Sequence, residues 1–86
     1  MIRETIRTAL ESVAPQGVVF TLEKPERPEF GDYSTNVALG AAEHEKKNPR
    51  ELADMYVSKL RAMGIGGVAM IEAAGAGFIN FHLQEA

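Results

Sequence analysis

The sequence predicts an α+β fold, a two-layer sandwich in which an antiparallel sheet of about four strands is covered by helices, in the order α-β-β-α(α)-β-β. Three observations predict it. Apolar residues recur at helical spacing near the start and again through the middle of the chain. Short β-branched or aromatic runs follow the first of these segments. The chain closes on two runs of strand character joined by Gly75-Ala76-Gly77, the pattern of a hairpin.

Ile2, Ile6, Ala9, Leu10 and Val13 give residues 2 to 14 one buried helical stripe, and Pro15 and Gly17 end it. Val18 to Leu22 is short, β-branched and aromatic, so it reads as a strand with Val18, Phe20 and Leu22 on the core face. The polar stretch from Glu23 to Glu29 carries Pro25 and Pro28, each of which removes a backbone donor, and is expected to be a surface loop. Phe30 and Tyr33 flank a brief second strand broken by Gly31. Asp32, Ser34 and Thr35 offer side-chain acceptors for a helix start, with Ser34 read as a cap, and Val37, Ala38, Ala41 and Ala42 supply the apolar pattern behind them. That helix fades through Glu43 to Lys47. Asn48-Pro49-Arg50-Glu51 then restarts one: Asn48 caps, Pro49 takes the first helical position, and Glu51 stands three residues after the cap. Leu52, Tyr56, Leu60 and Met63 mark its buried stripe, and Gly64 stops it. Val68 to Ala73 and Phe78 to Leu83 form the final hairpin, with Ala69, Ile71 and Ala73 inward and Met70 outward beside Glu72. The scattered methionines Met55, Met63 and Met70 are residues that more often fill core gaps than line a groove. Gln84-Glu85-Ala86 reads as a cut end.

A chain of 86 residues suffices for one domain spanning 1–86 with one core. Its 45% hydrophobic and 24% charged residues are ordinary for a soluble globular protein, and no apolar run reaches the roughly 20 residues of a membrane span. The N-terminus lacks the pattern of a signal peptide, so a cytoplasmic location is expected. Zero cysteines exclude disulfides, thiolate metal ligands and a cysteine nucleophile. A net charge of −3 argues against a free-standing nucleic-acid binder of high affinity, so any RNA contact should be local and auxiliary. The basic residues form one cluster, Lys46, Lys47 and Arg50, read as solvated surface.

The chemistry sits in the last strand. Alternation sends Ile79, Phe81 and Leu83 into the core and turns Phe78, Asn80 and His82 the other way, toward water. A ring and an amide in that row are suited to stack on an unpaired base and to bond its edge, as sheet surfaces do with single-stranded RNA. Catalytic groups are not apparent. His44 and His82 have no second ligand at metal spacing, Ser34 has no nucleophile elbow around it, and the Gly75-Ala76-Gly77 glycines precede a strand where a dinucleotide loop would precede a helix.

Three segments, Phe30-Gly31-Asp32-Tyr33-Ser34-Thr35-Asn36-Val37-Ala38-Leu39, Asn48-Pro49-Arg50-Glu51-Leu52-Ala53 and Ala74-Gly75-Ala76-Gly77-Phe78-Ile79-Asn80-Phe81, occur in an order and spacing that closely resemble the N-terminal additional domain of arginyl-tRNA synthetase. The resemblance runs from the first helix to Leu83. It implies an appendage to a class I catalytic core that touches the D loop at the outer corner of an arginine-accepting tRNA. The family's aromatic and amide, two positions apart, map onto Phe78 and Asn80; with His82 and Gly75 these are the expected RNA-binding residues. The ATP (with Mg) and arginine pockets of the parent enzyme lie outside the matched segments, and the chain has no His-x-Gly-His motif. No catalytic residue, metal or cofactor is therefore expected in this chain, and the expected partners are tRNA and the parent's catalytic domain, with no membrane. Ala76 stands where the family often has proline, implying a looser turn, and His82 where an arginine is common, removing a permanent charge. The alternative function is an intramolecular docking module with no direct RNA contact.

Overall fold

A computed structural model describes residues 2–84. Met1, Glu85 and Ala86 lie outside the described residues, the last two belonging to the stretch read as a cut end. The elements run α1 (Ile2–Val13), β1 (Leu22–Glu23), a single 3-10 turn (Pro28–Phe30), β2 (Tyr33–Thr35), α2 (Val37–Glu45), α3 (Pro49–Met63), β3 (Val68–Ala74) and β4 (Phe78–Leu83). The four strands form one antiparallel sheet in the order β1-β2-β4-β3. The expected α+β order is the order observed.

The core lies between the sheet and the helices. Ile6 and Leu10 from α1, Val37, Ala38, Ala41 and Ala42 from α2, and Leu52, Ala53, Tyr56, Val57 and Leu60 from α3 close over Leu22, Ile71, Ile79 and Phe81 from the strands. The alanines of α2 keep it thin enough to lie close to its neighbours. At Gly40 a Cβ would stand only 2.9 Å from the Val19 carbonyl oxygen, so the absent side chain is what lets the preceding segment pass. Asn48 caps α3 as its sequence demands, accepting from the amides of Arg50 at 2.9 Å and Glu51 at 3.1 Å, and Gly64 ends the helix in the left-handed conformation. No helix among the described residues is long and apolar enough to cross a membrane.

Several local expectations are corrected. The strand expected over Val18 to Leu22 shrinks to Leu22–Glu23, because β2 offers only three residues to pair with. The chain before it is held by side chains instead. Thr21 donates its amide to Asn36 Oδ1 at 2.8 Å, and its carbonyl accepts from the Thr35 hydroxyl at 2.6 Å, while Val19 is 88% exposed. Phe20 sits beneath the Arg7 guanidinium, 5.5 Å from the ring centroid, and Arg3 donates to the Leu22 carbonyl at 2.7 Å, so α1 is fastened to this segment by two arginines. Of the three candidate caps for α2, only Thr35 accepts from the helix start, from the Val37 amide at 3.2 Å. Ser34 points away on β2, and the Asp32 carboxylate is used elsewhere. A register shift between Val68 and Met70 breaks the alternation of β3, so Ala69 is exposed where an inward position was expected. Met55, Met63 and Met70 are all exposed and fill no core gap; Met63 lies in the last turn of α3, beyond Leu60.

Tyr56 is almost fully buried, and its hydroxyl has no hydrogen-bond partner among the described residues. Burial, with a smaller contribution from the nearby Glu45 carboxylate, pushes its pKa above the ordinary 10.0. A folded-state value above the unfolded one means that stability tied to the neutral phenol is complete below about pH 10 and is lost as pH rises through the folded value. Tyr56→Phe is therefore expected to leave stability at pH 7 unchanged or raise it by up to ~1 kcal/mol, and to remove part of the loss above pH 10. Urea denaturation at both pH values checks this; a marked loss at pH 7 would show that the hydroxyl has a partner in solution.

Candidate nucleic-acid interface

β4 is flanked on both sides, by β2 and by β3. Ile79 and Phe81 are buried under the helices, whereas Phe78, Asn80 and His82 share the opposite face. Register aligns that face across the whole sheet: Glu23 pairs with Ser34, Ser34 with Asn80, and Asn80 with Glu72. The expected direction of the three side chains is therefore right.

Their exposure is not uniform, and here the expectation of a row open to water is corrected. Phe78 is 43% exposed, but Asn80 is only 2% exposed. Two flanking strands place Ser34 and Glu72 directly beside Asn80, and the segment from Pro25 to Phe30 passes in front of it. The result is a recess of about 280 Å³ lined by Pro25, Phe30, Ser34, Ala74, Gly75, Phe78 and Asn80. Asn80 forms part of its floor. A carboxamide offers donors and acceptors together, so this floor can bond a planar heterocycle at its edge. His82 is partly buried and faces Glu72, with Nε2 2.8 Å from Oε2. It is thus engaged within the sheet surface and does not stand free in water.

Two backbone constraints fix the walls. On one side, the segment carrying Phe30 is fastened to β4: the Asp32 amide donates to the Phe81 carbonyl at 2.8 Å, and the Asp32 carboxylate accepts from the Leu83 amide at 2.7 Å. Gly31 lies between them at φ 91°, where a Cβ would fall 2.6 Å from the Phe81 carbonyl oxygen. On the other side, Arg50 Nη1 donates to the Gly75 carbonyl at 3.1 Å while its Nε reaches Asp54 at 3.4 Å. Gly77, at φ 147°, packs so tightly on Pro49 that a Cβ would stand 2.8 Å from the proline Cβ. The turn before Phe78, expected to be loose for want of a proline at position 76, is thus held from outside by the start of α3.

The same contact places one member of the basic cluster. Arg50 lies far from Phe78 in sequence, yet the packing of Pro49 on Gly77 and the Arg50–Gly75 bond bring it to the rim of the recess. Of the residues that line the recess, sequence reasoning named Phe78, Asn80 and Gly75; Phe30 and Ser34 were assigned to a strand and a cap, and the adjacent Arg50 to solvated surface. An aromatic at the end of a proline-rich polar loop was the available signal for Phe30.

The comparison with known sequences decides the family. A sequence model described as the arginyl tRNA synthetase N terminal domain matches residues 1–83. This chain belongs to that family. An arginine-tRNA ligase of Azoarcus sp. (strain BH72) is 47% identical over 88 residues, covering 100% of this chain and 15% of the relative. That of Thiobacillus denitrificans is 48% identical over 82 residues, 94% of this chain and 14% of the relative. That of Colwellia psychrerythraea is 42% identical over 86 residues, 99% of this chain and 14% of the relative. The chain thus spans about one-seventh of the length of these relatives.

Within this arginyl-tRNA synthetase N-terminal domain, the contact of Gly31 with β4 ties the recess to the core. Gly31→Ala should lower stability by more than ~1 kcal/mol, since it combines an unfavourable φ with a steric overlap on backbone. Gly17→Ala also has positive φ, but among the described residues nothing beyond its chain neighbours lies within 4 Å of the added Cβ, so it should cost less. Paired thermal melts test the difference, and equal losses would mean that the close approach to Phe81 carries no energetic weight.

Proposed function

We propose that this chain is the tRNA-recognition appendage of an arginine-tRNA ligase, contacting the D loop at the outer corner of an arginine-accepting tRNA and assisting aminoacylation by a class I catalytic core elsewhere in the longer protein. ATP, with Mg, and arginine are handled by that core; this chain itself supplies no catalytic group, and the whole enzyme works in the cytoplasm. Phe78 supports an unstacked base, Asn80 bonds its edge, and Gly75 and His82 complete the surface. The observation that carries this reading is the pairing of a half-exposed Phe78 ring with the Asn80 amide in one recess, on the sheet face turned away from the helices.

The electrostatics support a division of labour. Glu23 and Glu72 lie in the row with Asn80, so the centre of this face does not attract phosphate. Arg50, with Lys46 and Lys47 close by in the chain, sits at the rim by Gly75. A base therefore enters the recess while its backbone stays outside, beside the cations. Such a contact adds specificity without large affinity, in keeping with a net charge of −3.

A second reading draws on other exposed residues. Met63 and Met70 are exposed at the end of α3 and on β3, the outermost strand of the sheet, and suit packing against the parent enzyme. In that case substitutions at Met63 and Met70 would disturb the stability of the whole enzyme, and tRNA affinity only indirectly.

Phe78→Ala should weaken binding of an arginine-accepting tRNA by about 5- to 150-fold, the equivalent of ~1–3 kcal/mol for one stacked base. Asn80→Ala should weaken it by ~0.5–1.5 kcal/mol. Both should leave the thermal midpoint within a few degrees of wild type, because neither side chain belongs to the helix-facing core. Fluorescence anisotropy at two salt concentrations measures the affinities; unchanged affinity in both variants would remove the D-loop role and leave the docking reading.

A further inference from the structure

We propose that Phe30 is the opposing aromatic wall of a base-binding slot, so that a single unstacked RNA nucleobase is gripped between Phe30 and Phe78 above the amide of Asn80. This rests on the reading of Phe78 and Asn80 given above and adds a residue, a geometry and a specificity element to it.

Phe30 is a large aromatic that stays 43% exposed and takes no part in the core. It lines the same recess as Phe78, Ser34 and Asn80. At about 280 Å³ the recess lies at the small end of ligand pockets, which run from roughly 300 to 1,000 Å³. It has room for one planar ring system and not for a run of nucleotides.

The position of the ring is built in. The 3-10 turn Pro28–Phe30 is closed by the Phe30 amide on the Arg27 carbonyl at 3.1 Å and the Gly31 amide on the Pro28 carbonyl at 3.0 Å. Gly31 and Asp32 then fasten the turn to the backbone of Phe81 and Leu83. The strand that carries Phe78 and Asn80 therefore also anchors Phe30, and the walls and floor are referred to one element. A slot arranged in this way before binding loses little conformational freedom when a ring enters.

The occupant follows from the chemistry of the walls and rim. Two aromatic faces accept any planar heterocycle, the Asn80 amide and the Ser34 hydroxyl supply donor and acceptor at the floor, and the Arg50 guanidinium stands beside Gly75 at the edge. A flat polar-edged ring attached to an anionic backbone satisfies all three, as an unpaired base in RNA does. The Ser34 hydroxyl, which caps no helix, becomes a second group able to discriminate between base edges.

The test compares Phe30→Ala, Phe30→Leu and Phe30→Tyr with Phe78→Ala in the same chain, titrating an arginine-accepting tRNA transcript and recording the thermal midpoint of each variant. Phe30→Leu preserves apolar bulk without a π face, and Phe30→Tyr preserves the ring. The expected result is an affinity loss of roughly tenfold for Phe30→Ala and Phe30→Leu, near wild-type binding for Phe30→Tyr, and a loss for Phe78→Ala. If Phe30→Leu binds as wild type while Phe78→Ala is weakened, the second wall is refuted and the Phe78 contact stands. If neither ring matters, both the slot and the underlying reading fall. Should Phe30→Ala not fold, the contrast between leucine and tyrosine at this position still decides.

Discussion

The central position of β4 is the constraint on which the rest depends. A strand paired on both edges cannot rotate about its axis, so burying Ile79 and Phe81 beneath the helices compels Phe78, Asn80 and His82 to take the other face. Each of the two buried side chains contributes about 1.5–3 kcal/mol, enough that a slip of one residue, which would exchange the two sets, is energetically closed. The direction of this face is in this sense dictated by the core, and only the start of α3 reaches the recess, at the glycine turn.

Rigidity of the site comes from segments remote in sequence. Gly31 and Asp32 join the proline-rich loop to one end of β4, and Pro49 and Arg50 hold the glycine turn at the other. Both junctions depend on the absence of a side chain at a glycine, since a Cβ at Gly31 or Gly77 would meet neighbouring atoms at 2.6 or 2.8 Å. The glycine motifs that mark the sequence as a member of the arginyl-tRNA synthetase N-terminal domain family thus have a common physical role. They let two chain segments approach β4 closely enough to frame a recess.

Much of this was legible in the residues alone. The order of elements, the capping of α3 by Asn48 and the alternation of β4 follow from local patterns whose competing interactions are weak. What was not legible depends on tertiary placement. Asn80 was assigned to open water because alternation gives direction and not depth; the depth comes from Ser34, Glu72 and the loop in front. Ser34 was read as a cap because its neighbour Thr35, one residue on, does the capping, and a hydroxyl's partner cannot be told at that resolution from sequence. The basic cluster around Arg50 was read as plain surface because its neighbour in space, Gly75, is 25 residues away. The Val18 to Leu22 strand failed because propensity cannot supply a partner that is absent.

The claim that the helix-free face of β4 receives a nucleobase is tested most directly by titrating the isotopically labelled chain with an arginine-accepting tRNA while following backbone and side-chain resonances. The account predicts that the largest changes fall on Phe78, on the Asn80 carboxamide and on the neighbouring Ser34 and Ala74, with α1 unaffected. Changes confined to the helices, or an Asn80 carboxamide that stays unmoved at saturation, would contradict it.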